Sequence, residues 1–144
     1  MTSTVIVGID GSEPSKRAVA YAISLAEDKG VHLVVAHVIP WSPYSFNTPS
    51  ENEQRAEKKV EEIAAVNAQL IDPAAAAAAE AGHDVTRVVR HGDPVDTLVE
   101  LAGEHGASAI VVGRTGDSRV KRTLFGSIPG HLVHESPIPV TVVP

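Results

Sequence analysis

Apolar and polar positions alternate along this chain in two distinct periods. Five short apolar runs read as strands: residues 4–9 (TVIVGI), 31–39 (VHLVVAHVI), 84–90 (DVTRVVR), 108–112 (SAIVV) and 138–143 (IPVTVV). Between them the spacing lengthens to that of amphipathic helices. Ala18, Val19, Ala22, Ile23 and Ala26 share one helical face, which Gly30 should end. Val60, Ile63, Leu70 and Ile71 mark a second helix, and Val95, Leu98, Val99 and Ala102 a third. Leu132 and Val133 sit on a short fourth.

Three helix starts carry the same signal, a capping residue just ahead of a first-turn proline. They are Ser12-Glu13-Pro14, Asp93-Pro94 and Ser127-Ile128-Pro129. Asp72-Pro73 repeats the signal inside the second helical region, where an interior proline costs about 3 kcal/mol. A break or kink is expected there, with helix resuming through the alanines of 74–79.

Strand–helix alternation implies a parallel sheet with helices on both faces. Two orders are common for five strands, 2-1-3-4-5 and 3-2-1-4-5. The second strand is almost wholly apolar, whereas the third carries Arg87 and Arg90. Apolar runs suit the interior and charged ones an edge, which selects 3-2-1-4-5. Pro139 in the fifth strand agrees with an edge position. The expected fold is α/β, an open twisted Rossmann-like sheet in a single domain over residues 1–144.

Composition narrows the setting. The formal net charge of −6 argues against general nucleic-acid binding. No apolar run approaches the ~20 residues that span a bilayer. There is no cysteine, so neither disulfides nor thiolate chemistry arise. The first residues lack the charged start and apolar core of an export signal, so a cytoplasmic setting is expected.

Against that acidic background, the stretch GRTGDSRVKRTLFGS (residues 113–127) stands out. Arg114, Arg119, Lys121 and Arg122 against Asp117 give it a formal charge of +3. In the chosen strand order the chain reverses direction between strands one and four, and ligands of open α/β sheets bind outside the carboxyl ends at that point. The stretch lies there, opposite Gly8-Ile9-Asp10-Gly11-Ser12. Gly113, Gly116 and Gly126 allow close backbone approach to phosphate oxygens. Ser127 opens a helix whose N–H groups and dipole favour an anion. Asp10, read as a buried carboxylate ending the first strand, is suited to ribose hydroxyls or Mg²⁺, and equally to satisfying a turn.

The spacing G-x₂-G-x₉-G-S, as Gly113, Gly116, Gly126 and Ser127, resembles the ATP-binding motif of universal stress proteins. So do VIVGIDGSEPSKRAVAYA, VVAHVIP, HGDPVDTLVELA and SPIPVTVVP, which together extend the resemblance over the whole chain. The resemblance implies an ATP-binding homodimer, slow or inactive in hydrolysis, that acts as a regulator in stress response. It implies that Ile9 and Asp10 meet the adenine and ribose side and that Val38 contacts adenine through its backbone. Val112, Gly113, Gly116, Gly126, Ser127 and Ile128 would hold ribose and phosphates, with Mg²⁺ accompanying ATP. Pro129 departs from the pattern by removing one N–H near the phosphates.

Two other readings compete, an adenylyl-transferring enzyme of related fold and an interaction module without nucleotide. The chain is short for a second substrate site, shows no activated nucleophile, and lacks the G-x₄-G-K-[ST] phosphate loop. His131 and His134 have helical spacing but no further ligand, so no metal site is expected. His37 is read as a satisfied buried side chain in an apolar strand, and His91 as a residue at a strand end able to face a ligand. Glu57-Lys58-Lys59 and Glu61-Glu62 read as a solvated helix face. Trp41, Tyr44 and Phe46 crowd one Pro/Ser-rich connection, as a lid, a partner patch or local packing. The free edge of the fifth strand suits pairing with a second copy of the chain through 138–143.

Overall fold

The computed structural model describes residues 2–40, 49–114 and 127–144, with side chains of the second helix described from residue 53 onward. In chain order the elements are β1 (Thr4–Gly8), α1 (Glu13–Lys29), β2 (His32–Ile39), α2 (Pro49–Val66), a π-helical turn (Asn67–Ile71), α3 (Asp72–Glu80), β3 (Val85–His91), α4 (Pro94–Glu104), β4 (Ala107–Gly113), α5 (Ile128–Glu135) and β5 (Val140–Val143). The five strands form one sheet in the order β3-β2-β1-β4-β5. Every neighbouring pair is parallel, with Gly8 opposite both Ala36 and Val112 at the top of β1. The fold is Rossmann-like, in the order the strand compositions select.

Alternating side chains divide the core into two layers. Val5, Val7 and Ile9 join Leu33, Val35 and Val111 beneath α1, Ile71 and Ala74. Ile6, Val34, Ala36, Val38, Ile110 and Val112 face α4 and Leu132 of α5. Ala18, Ala22 and Ala26 are buried along α1, so small side chains bring this helix close to the sheet. Strands covered on both faces need apolar residues at nearly every position, which is why β2 and β4 read as continuous runs.

The three capping signals act as the sequence implies. Ser12, Asp93 and Ser127 each accept a hydrogen bond from the backbone N–H three residues on, at Ser15, Asp96 and Gly130. Gly30 ends α1 in the left-handed region, with φ of 68°.

Other expectations need correction. Pro139 precedes β5 rather than lying within it, and its carbonyl accepts the Ile110 N–H to start the β4–β5 pairing. At Asp72-Pro73 the expected interruption takes the form of a π-helical turn just ahead of the proline, and Asp72 does not cap a new helix. Asp72 is helical, with φ −60° and ψ −44°, and its N–H reaches back five residues to the Asn67 carbonyl. Proline in a regular helix would clash with the carbonyl four residues earlier. The wider turn re-spaces those carbonyls, so helix runs on into α3. Val60 is 68% exposed and does not belong to the buried face of α2.

The β3 edge is bracketed by charge. Arg87 pairs with Asp72 at 2.5 Å on one face, and Arg90 with Glu104 at 2.6 Å on the other. Such charges discourage further strands from pairing there. The Arg90 hydrogen bond holds the Glu104 carboxylate below its ordinary range. A carboxyl group whose folded value is depressed adds stability above its unfolded pKa and loses it as pH falls through the folded value. Arg90→Ala should therefore lower the urea midpoint near neutral pH, with the difference from wild type closing under acid conditions. A difference that persists or grows in acid would contradict the pairing.

Candidate functional site

The carboxyl ends of β1, β2 and β4 converge at the switch point between β1 and β4. The chain leaves β1 through Ile9, Asp10 and Gly11, and this turn is fastened to its surroundings. The Ile9 N–H continues the ladder onto the Ala36 carbonyl at 2.9 Å, and the Ile9 carbonyl accepts from the His37 ring at 2.5 Å. The Asp10 N–H donates to the hydroxyl of Ser15, which is 3% exposed. Asp10 Oδ1 accepts from the Ser12 backbone N–H at 2.9 Å and from the Ser12 hydroxyl at 2.6 Å. Gly11 has φ of 82°, and a Cβ there would stand 2.6 Å from Leu70 Cδ2 in the π turn.

Asp10 is thus exposed, not buried as the sequence suggested. It lies two residues beyond β1, where the strand no longer shields it. Its carboxylate organises the turn through one oxygen, in the manner of an Asx turn. The turn role and a ligand role are compatible, because a carboxylate has acceptor capacity on both oxygens.

On the β4 side, Val112 is buried and Gly113 ends the strand. A Cβ on Gly113 would stand 2.5 Å from the Pro14 carbonyl carbon and 2.6 Å from both the Pro14 oxygen and the Ser15 nitrogen. The first turn of α1 therefore lies directly against the exit of β4. The sequence assigned this glycine to phosphate approach; the structure adds a packing reason that needs no ligand.

Ser127 caps α5, accepting from the Gly130 N–H at 3.1 Å. Gly130 fits beneath it, since a Cβ there would come within 2.6 Å of Ser127 Oγ. Pro129 has no N–H and that of Gly130 is occupied, so the donors this helix start offers an incoming anion are the Ser127 O–H and the backbone N–H groups of Ser127 and Ile128. Ile128 is 43% exposed.

The structure thus gathers Ile9, Asp10, Val38, Val112, Gly113, Ser127 and Ile128 at one end of the sheet. Gly116 and Gly126 lie outside the described residues, as do Asp117, Arg119, Lys121 and Arg122 and the aromatics Trp41, Tyr44 and Phe46. His91, at the end of β3, meets Glu62 of α2 at 3.2 Å, and the Glu62 side chain remains 39% exposed. His131 and His134 are exposed, and among the described residues no three His, Cys, Asp or Glu side chains form a metal cluster. Sequence reasoning missed Ser15 and Leu70. Their signals were a second serine one helical turn after Ser12 and the proline that forces the π turn.

The packing at Gly113 is directly testable. Gly113→Ala should destabilise the fold by about 1–3 kcal/mol in urea denaturation, because the obstacle is backbone rather than a pliable side chain. Gly103→Ala, in α4 with nothing within 4 Å of the added carbon, should be neutral or stabilising by up to about 1 kcal/mol. Equal effects would contradict the close approach.

The family model described as "Universal stress protein family" matches residues 1–144. Universal stress protein YxiE of Bacillus subtilis is 28% identical, over 99% of both chains. The structure of universal stress protein UspA from Lactobacillus plantarum superposes with a TM-score of 0.80 at 22% identity, covering 99% of this chain and 97% of that one. A universal stress protein solved in complex with cAMP is 30% identical, with a TM-score of 0.71 and coverage of 99% and 97%.

Proposed function

This chain belongs to the universal stress protein family, and from that premise we propose that it binds ATP at the carboxyl end of its sheet, as a nucleotide-dependent regulator in stress response. The observation that supports this reading is that the Asp10 turn, the end of β2 and the capped start of α5 all lie at the carboxyl end of the sheet, where β1 and β4 are neighbours. The adenine nucleotide in the cAMP complex of a 30% identical relative supports the ligand class.

In this reading adenine lies against Ile9 and the backbone of Val38, and ribose lies near Asp10. Phosphates meet Gly113, Gly116, Gly126, Ser127 and Ile128. The Ser127 hydroxyl suits a phosphate oxygen because, while it accepts from the Gly130 N–H, its own O–H remains to donate. Mg²⁺ fits as a companion of the phosphates, with Asp10 and Ser127 supplying oxygen. Mg²⁺ takes oxygen ligands and keeps several waters, so a dedicated protein cage is unnecessary.

Among the described residues of the site none is placed as an activated nucleophile, which fits slow or absent hydrolysis. The outer edge of β5, the last strand of the sheet, suits pairing with a second copy in a homodimer, and Val142 there is 37% exposed. No helix among the described residues is long and apolar enough to cross a membrane, and a cytoplasmic setting fits the ligand.

Calorimetric titration of nucleotide-stripped protein with Mg-ATP should show saturable binding at one site per chain, with GTP much weaker. Gly126→Val should abolish that binding while leaving the circular dichroism spectrum intact, because the side chain would occupy the space of a phosphate. Normal ATP binding by a folded Gly126→Val protein would overturn the assignment.

A further inference from the structure

The β1–β2 ladder ends in an unusual way. Its last register pair is Gly8 with Ala36, followed by the bond from Ile9 N–H to the Ala36 carbonyl. In a parallel ladder the next rung runs from the N–H of Val38 to the carbonyl of Ile9. The direction of Val38 is fixed by its neighbours: Ala36 accepts from β1, whereas Ile39 accepts from Gly92 on the β3 side. Val38 therefore turns its N–H and carbonyl toward β1. Yet the Ile9 carbonyl accepts from His37 Nδ1 at 2.5 Å, and among the described residues the expected bond from the Val38 N–H to that carbonyl is not made.

We infer that His37 is a positioning residue: its imidazole replaces one rung of the ladder and thereby leaves the Val38 backbone donor and acceptor to the base of the nucleotide. A carbonyl oxygen only accepts, so Nδ1 must carry the proton. The ring satisfies Ile9 without consuming the Val38 N–H, which a normal rung would do. It also holds the Ile9 peptide, and with it the start of the Asp10 turn, at a fixed distance from β2. An N–H and a carbonyl from one strand residue form a donor–acceptor pair. That pair matches adenine N1 and N6, and guanine reverses the order of donor and acceptor at the corresponding positions. This inference rests on the nucleotide reading above for the identity of the ligand, but not for the geometry of the rung.

The test begins without ligand. Nitrogen-15 NMR of the free protein should find His37 as the Nδ1–H tautomer, and the Val38 amide should exchange at least about tenfold faster than the ladder amide of Ala36. In His37→Leu the ladder closes by one rung: the Val38 amide becomes protected and ATP affinity falls by about tenfold or more. His37→Asn places an amide N–H close to the position of Nδ1 and should restore both fast exchange and affinity. An Nε2–H tautomer, a Val38 amide as protected as that of Ala36, or a His37→Leu variant unchanged in both exchange and affinity would overturn the role. A wild-type protein that binds no ATP would instead remove the nucleotide reading, while the tautomer and exchange results still decide what His37 does to the ladder.

Discussion

The close passage of α1 over the end of β4 sets the geometry of this protein's site. At Gly113 the backbone of Pro14 and Ser15 occupies the space of a side chain. That contact fixes where α1 begins. Where α1 begins fixes Ser12 and Ser15, whose hydroxyls close the hydrogen-bonded turn around Asp10. A glycine at the end of one strand thus sets the position of a carboxylate at the end of its neighbour. Glycines in nucleotide sites are usually explained by the ligand, but this one is already required by the fold.

The remainder of the site follows from the same economy of space. Leu70 reaches the outer side of the turn at Gly11 because the helix bearing it widens ahead of Pro73. His37 ties the inner side to β2. The turn is therefore held by α1, β2 and the π turn together, and each contact lies outside the glycine motif that draws attention first. Binding sites perform best when their positioning groups are themselves locked, and these contacts supply that locking.

Much of this was legible in the sequence because it rests on local rules. Ser12, Asp93 and Ser127 sit three residues ahead of the N–H groups they cap, and each lies beside a first-turn proline. The two arginines of β3 marked an edge because charge is tolerated where one side of a strand is open. What was not legible depends on distances across the fold. Asp10 was read as buried because it follows an apolar run, but burial ends where neighbouring strands stop. Pro73 was read as a break or kink, but propensity rules do not say that it takes the form of a change of helical gauge. His37 was read as satisfied and buried; it is satisfied but only part-buried, and its partner is fixed only by the register of β1 against β2. Val60 fits the helical period, yet α2 turns that position to solvent.

The central claim is that adenine nucleotide sits at the carboxyl end of the sheet, over β1, β2 and β4. The most direct measurement is an amide NMR titration of the stripped protein with Mg-ATP. Saturable shifts should cluster at residues 9–12, 37–39, 112–114 and 127–130, while amides at the opposite end, such as Ser3, His32 and Ala107, stay in place. Shifts confined to that opposite end, or none up to millimolar ATP, would contradict the account.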